Sequence, residues 1–191
     1  MNYHTRQRGF TIVELLIVIV IIGILTGIVM PMLIGTIPRA RNARTIANVR
    51  QYYNAIELYK LQNGTYPSVP GEARGSFSMV CLGRGYRSGT CGNVTGNSVY
   101  ESNDFLTKLG TVSNTLANSA VNTEEGSVQN ESFVGAVYGI DVVGPPAPHS
   151  GHGRVIEWFL EGRDQKCVVP YSYAYNTDKN TACELYLEDY D

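Results

Sequence analysis

The four cysteines carry the most specific chemistry in this sequence. They are Cys81, Cys91, Cys167 and Cys183. An even set of cysteines outside the cytoplasm is typical of disulfides. Four cysteines allow three pairings, and the sequence-local one, Cys81 with Cys91 and Cys167 with Cys183, closes the shortest loops. Zinc is the competing interpretation, which the absence of a Cys-x-x-Cys pair weakens.

Residues that could support catalysis are sparse. The sequence has no Gly-x-Ser-x-Gly, no phosphate-binding Gly-x-x-x-x-Gly-Lys and no His-Glu-x-x-His. His149 and His152 lie in a stretch rich in Pro and Gly, for which an exposed turn is the default interpretation and a metal or adhesive role the alternative. We therefore predict a protein that is not an enzyme.

Calcium is the one cofactor that the acidic residues leave open. Asp178-x-Asn180 begins like an EF-hand loop, but Cys183 occupies the position that requires Gly. Four acidic residues lie close to the end of the sequence: Glu184, Glu188, Asp189 and Asp191. We predict no cofactor, with calcium at this acidic tail as the alternative to a solvated edge.

A single carboxylate, Glu14, stands at the head of a long apolar run. Leu15 to Ile34 carries no charge and contains fourteen Leu, Ile and Val residues. Their insertion into a bilayer is worth roughly −4 to −8 kcal/mol, which exceeds the cost of one acid. The run therefore predicts a helix that spans a membrane.

The start of this run has a distinctive order of residues. A basic leader ends in Gly9, Phe10 follows, and Glu14 is the fifth residue counted from Phe10. This pattern over residues 8–38 resembles the prepilin signal of the type IV pilin and pseudopilin family. Looser similarities occur at Asn63-Gly-Thr-Tyr-Pro67 and in the C-terminal cysteine pair.

The resemblance implies processing and assembly. A prepilin peptidase would cleave between Gly9 and Phe10, Phe10 would be N-methylated, and Glu14 would act in subunit assembly. The implied partners are other copies of the chain in a helical homopolymer, the prepilin peptidase, the inner-membrane pilus assembly platform and, before assembly, the membrane. The charge balance does not indicate nucleic acid as the main partner.

Two features inside the apolar run bear on how helices would pack. Gly23-x-x-x-Gly27 places two small residues on one face, which allows close helix approach in an apolar medium. Pro31 removes the hydrogen bond to the Gly27 carbonyl, so residues 23–31 form the weakest part of the helix. A kink is the simpler interpretation; similar pilins imply a partly extended segment in the assembled fibre.

Charge is divided along the 191 residues, whose formal net charge is −2. Residues 39–63 carry five basic residues and one acidic residue, whereas residues 64–191 carry eight basic and fifteen acidic residues. The positive-inside rule alone would place Arg39 and its neighbours in the cytoplasm. The cysteines, the polar body and the prepilin junction outweigh it, so we predict residues 39–191 outside. The basic segment of one subunit is predicted to face the acidic head of another.

The predicted fold class is α+β, with a long N-terminal helix packed on a C-terminal antiparallel sheet of three to four strands. The expected parts are a leader at 1–9, a hydrophobic helix at 10–38, an amphipathic helix at 39–63 and a pilin-like head at 64–191. Residues 64–132 are predicted to be mostly loop, apart from a strand at Ser78–Leu82 and a short helix near Asp104–Leu109.

The resemblance favours a structural function. The main hypothesis is a type IV pilus subunit that polymerises through its hydrophobic helix into an extracellular filament for adhesion, twitching motility or DNA uptake. The alternative is a pseudopilin of a type II secretion or competence machine. A monomeric membrane-anchored receptor or enzyme is weaker, because it would leave Glu14 without a partner. The predicted location is the cytoplasmic membrane as a single-pass protein, then the cell surface.

Overall fold

The chain forms two compact units, Met1–Pro38 and Arg39–Asp191. A computed structural model describes residues 9–72, 78–94, 97–113, 126–128, 131–141, 153–167, 169 and 172–187. The leader before Gly9, the two histidines at 149 and 152, and most of the acidic tail lie outside these residues.

Helix α1 spans Ile12–Asn63. It ends where Gly64 adopts a φ of 77°, a left-handed conformation that glycine adopts without strain. The Gly64 N–H donates to the Lys60 carbonyl at 2.8 Å, which satisfies one of the last helical acceptors. The predicted helix end at Asn63 is confirmed.

Within the second unit, α1 buries one stripe against the sheet. Its buried members are Asn42, Thr45, Val49, Tyr52, Ala55 and Ile56. The three-four spacing of apolar residues in the sequence predicts a stripe through Ala43, Ile46, Val49, Tyr53 and Ile56, but Ala43 is exposed and the buried face includes the polar Asn42 and Thr45. The prediction considered apolar residues only, and therefore missed polar side chains that are hydrogen-bonded or enclosed in the interface.

Nine strands and a second helix complete the described fold. The strands are β1 Ser78–Leu82, β2 Thr90–Val94, β3 Asn97–Tyr100, β4 Gly126–Val128, β5 Glu131–Phe133, β6 Ala136–Asp141, β7 Gly153–Glu161, β8 Ser172–Asn176 and β9 Asn180–Leu187, and helix α2 is Asn103–Gly110. Ser102 caps α2 by accepting the Phe105 N–H. The strand at Ser78–Leu82 and the short helix are confirmed.

The strands form a single mixed sheet in the order β4-β5-β2-β3-β1-β6-β7-β9-β8. The α+β class is confirmed, and β6 to β9 make the predicted antiparallel part. The count of three to four strands was too low, since β1 to β5 extend the sheet and β1 pairs with β3 in parallel. Strands β2 to β5 have three to five residues each, too few to show a clear alternation in the sequence.

The two faces of the sheet carry separate apolar clusters. Trp158 and Leu160 point toward the cluster that contains α1 and α2, whereas Phe159 between them belongs to the other. β4 also lies near β7 and β9, so the sheet curls over the second cluster. Glu157 and Glu161 are buried in this strand.

Candidate functional site

The first turn of α1 brings together the residues that the sequence singled out. Thr11 precedes the helix, and its N–H and hydroxyl both donate to the Glu14 carboxylate, at 2.9 Å and 2.8 Å. The Glu14 N–H donates back to the Thr11 hydroxyl at 3.3 Å. This reciprocal pattern is a capping box, which satisfies otherwise free N–H groups at a helix start. In the single chain, Glu14 therefore has a defined orientation.

The junction next to this cap is open. Phe10 is 82% exposed. A Cβ added at Gly9 would meet no atom within 4 Å, so nothing in the fold itself requires glycine there. An accessible junction outside the helix is suited to a protease, because a peptide must enter the active site of the protease unfolded. The exposed junction is compatible with cleavage at this point.

The apolar surface that follows is exposed along its length. Within the described residues, one helical stretch, Ile12–Met30, is long and apolar enough to cross a membrane. Thr26, the polar exception in its second half, donates its hydroxyl to the Ile22 carbonyl at 2.6 Å. A hydroxyl bonded within its own helix is compatible with an apolar surrounding.

Residues 23–31, the segment predicted to be the weakest part of the helix, are helical in the single chain. α1 is helical through Gly23 and Pro31. A Cβ at Gly23 or Gly27 would meet no atom within 4 Å, so the fold of one chain does not need small residues at these positions. The extended segment predicted for residues 23–31 concerns the assembled fibre and stays a prediction.

Both disulfides of the head are of the sequence-local kind. Cys81 in β1 is joined to Cys91 in β2. Cys167, which follows β7, is joined to Cys183 in β9. Cys183 lies directly opposite Trp158 in the β7–β9 ladder. The second disulfide therefore fastens β9 to the chain that leaves β7.

A polar clamp holds the segment after α1 on the sheet. Arg154 and Glu72 form a two-pronged ion pair with N–O distances of 2.6 Å and 3.2 Å. The Pro67 carbonyl accepts from the Tyr138 hydroxyl at 2.9 Å and from Arg154 at 3.3 Å. The Val69 N–H donates to Glu72 at 2.9 Å. This clamp gives the Asn63–Pro67 motif a structural role that the sequence did not show.

The clamp predicts a dependence of stability on pH. Burial disfavours the charged form of Glu72, but hydrogen bonds from Arg154 and Val69 outweigh it, and the pKa of Glu72 is lowered. A lowered pKa in the folded state stabilises the protein above the unfolded value of about 4.3, and this contribution is lost as pH falls through the folded pKa.

We expect Glu72→Gln to lower the free energy of unfolding by about 1 to 3 kcal/mol at pH 7, and by less at pH 3. Urea unfolding at both pH values measures the two differences. Asp178→Asn, a change in an exposed turn, is the control. A Glu72→Gln penalty that is the same at both pH values would contradict the ionic origin.

Asn42 fastens α1 to the end of β7. Its side-chain amide donates to the Glu161 carbonyl at 2.9 Å, and its oxygen accepts the Glu161 N–H at 2.8 Å. The neighbouring Arg41 forms an ion pair with the Glu161 carboxylate at 3.3 Å. The side chain of Asn42 thus bonds to both the N–H and the carbonyl of Glu161, as the backbone of a neighbouring strand would.

The metal candidates find little support in the described part of the chain. That part contains no group of three or more His, Cys, Asp or Glu residues able to hold an ion. Asn180 closes a turn with Thr177, and Glu184 accepts from the Tyr186 hydroxyl at 3.0 Å. His149, His152, Glu188, Asp189 and Asp191 lie outside the described residues. Calcium at the tail therefore stays a proposal.

Comparison with protein families identifies the N-terminal segment. Residues 4–30 match the model described as the prokaryotic N-terminal methylation motif. The matched residues include Gly9, Phe10 and Glu14. No solved structure matches the chain.

Curated relatives match about a third of the chain. The chain is 41% identical over 63 residues to the type II secretion system core protein G of Pectobacterium carotovorum subsp. carotovorum, covering 33% of this chain and 40% of the relative. It is 41% identical over 68 residues to the protein of that name from Escherichia coli (strain K12), covering 36% and 47%. The chain thus spans less than half the length of these relatives.

Proposed function

We propose that this chain, whose N-terminal region is similar to type IV pilin-like proteins, is a pseudopilin subunit of a type II secretion machine. The observation that carries the proposal is the similarity to core protein G, whose name places it in that machine. The similarity favours this alternative over the pilus subunit that was the main hypothesis from the sequence. Adhesion and twitching motility receive no specific support.

The apolar surface of α1 supports a structural role through self-assembly. Phe10 and the aliphatic side chains from Ile12 to Met30 are exposed in the single chain. Water penalises this surface, so lipid must cover it before assembly and sister helices afterwards. Glycines at 23 and 27, which no contact inside the chain requires, would let those sister helices approach closely.

Glu14 would set the register of that assembly. Removal of the leader leaves an ammonium group on Phe10, so each subunit brings one positive and one negative group into an apolar layer that penalises both when unpaired. We infer that Glu14 of a docked subunit pairs with the Phe10 amine of an incoming one. The hydrogen bonds from Thr11 would hold the carboxylate in place until then.

Processing at Gly9 is directly testable. We expect the mature chain to begin at methylated Phe10, and Gly9→Leu to accumulate as an unprocessed membrane protein. Intact-mass analysis of the purified chains distinguishes the two forms. Gly23→Ala is the matched control, because a Cβ at Gly23 meets nothing and lies beyond the junction. Retention of Met1 in the wild-type chain would contradict the proposal.

A deletion strain tests the pseudopilin assignment. Loss of this chain should block export of the secreted enzymes, which then accumulate inside the cell, while filaments on the cell surface remain unchanged. Complementation with the wild-type chain should restore export. Normal export together with loss of long surface filaments containing this chain would reject the pseudopilin assignment in favour of the type IV pilus.

A further inference from the structure

Five exposed cations lie on three segments that meet at one end of the head. We call them the basic collar: Arg39, Arg44, Arg163, Lys166 and Lys179. The second unit as a whole has thirteen basic and sixteen acidic residues. A local excess of positive charge on a body of negative net charge indicates a surface for an anionic partner.

Hydrogen bonds bring the three segments of the collar together. Asn42 of α1 bonds to the Glu161 backbone at the end of β7. The turn that follows is bonded to the β8–β9 turn, since the Asn176 amide donates to Asp164 at 2.7 Å and the Gln165 N–H donates to Thr181 at 2.9 Å. The three segments that carry the cations are therefore held together at one end of the head.

Few acids offset the collar. Glu161 is buried and already paired with Arg41, so that pair adds no net charge. Asp164 and Asp178 are the exposed acids of the two turns. Within the described residues, no ion pair occupies any of the five collar cations. The collar keeps an excess of three positive charges.

The short distance in sequence between the membrane-crossing stretch and the collar favours a membrane as the partner. Arg39 lies nine residues beyond Met30, the end of the membrane-crossing stretch. Even a fully extended chain of nine residues spans no more than about 30 Å, so the start of the collar cannot leave the neighbourhood of the bilayer. Arginines at this position oppose the positive-inside rule, and an anionic surface on the outer side would give them a partner.

We propose that the basic collar binds the anionic phospholipid headgroups of the outer face of the membrane and holds the head of the unassembled subunit on that surface. The interaction requires membrane anchoring with the head on the outer side, and it does not depend on the pseudopilin assignment. Each cation near an anionic surface is worth about a fivefold change in binding. Removing two should therefore weaken docking by about 30-fold.

Lysine labelling of the full-length chain tests the proposal. The chain is reconstituted into vesicles of phosphatidylcholine alone or with phosphatidylglycerol, and treated with an amine reagent that does not cross the bilayer. Labelling of Lys166 and Lys179 should fall several-fold in the anionic vesicles and recover at high salt. Lys108, whose amine bonds to Ser68 away from the collar, is the internal control.

The variant Arg39→Gln, Arg44→Gln keeps both reporter lysines and should restore their labelling in the anionic vesicles. Equal labelling of wild-type Lys166 and Lys179 in the two vesicle types would overturn the proposal. Protection that rises with the number of subunits per vesicle and ignores lipid charge would overturn it as well, in favour of the acidic head of a second copy. Neither result changes the outcome expected from the deletion strain, which tests the pseudopilin assignment separately.

Discussion

Glu14→Ala should give a processed, membrane-resident subunit that no longer assembles when it is the only copy in the cell. The variant can still insert, because the aliphatic run is unchanged, but the Phe10 amine of each incoming subunit finds no carboxylate in the apolar layer. Stranding one charge of a pair in such a medium is strongly unfavourable. We expect the number of assembled filaments, overproduced and counted by electron microscopy, to fall by about tenfold or more.

Two companion variants separate pairing from helix capping. Thr11→Ala removes the hydroxyl of the capping box but leaves the Glu14 carboxylate, so a smaller loss of assembly is expected. Thr26→Ala removes a hydroxyl bonded only within its own helix and should assemble like the wild type. Filaments of normal number and length from Glu14→Ala, without wild-type subunits, would refute the pairing mechanism.

Replacing both Cys167 and Cys183 with serine should lower the free energy of unfolding of the head by about 3 kcal/mol. The bridge spans 16 residues of sequence, and its loss frees the unfolded chain. It would also release β9, a strand that pairs with both β7 and β8. Urea unfolding of the full chain in detergent, followed by the emission of Trp158, measures the change, because Trp158 is the one tryptophan of the sequence.

The other disulfide provides the comparison for this experiment. Cys81 and Cys91 are 10 residues apart, so their replacement should cost a similar amount through chain entropy. Trp158 lies opposite Cys183 and not opposite either of these cysteines, so the folded-state emission should change more in the Cys167 and Cys183 variant. Stability unchanged by that variant, or free thiols at both positions in the exported protein, would contradict the prediction.

Elements with a strong local pattern were predictable. The end of α1 follows from Gly64, and β1 and β7 follow from runs of apolar residues. β2 and β3 contain Gly and Asn and have no apolar alternation that could identify them. They exist because neighbouring strands and the Cys81–Cys91 bridge hold them, and such long-range pairing leaves no periodic signal in sequence.

The residues of the candidate site also fall into those that a local sequence pattern reveals and those that it does not. Thr11 and Glu14 have the Thr-x-x-Glu spacing of a capping box, so their contact follows from a local pattern in the sequence. The ion pair of Glu72 and Arg154 joins residues 82 apart in sequence, and no local pattern relates them. Asn42 was missed because a buried amide looks like a surface residue until its backbone partners are known.

The bonds of Asn42 constrain how the length of α1 can change. An insertion of one residue between Asn42 and Val49 would turn every later side chain by about 100° around the helix axis. If Asn42 kept its hydrogen bonds to Glu161, then Val49 and Ile56 would turn away from the sheet. If Val49 and Ile56 kept their packing, the Asn42 amide would turn away from Glu161. Insertions in this stretch should therefore keep the two contacts in rotational phase only near whole turns, at about seven or eleven residues.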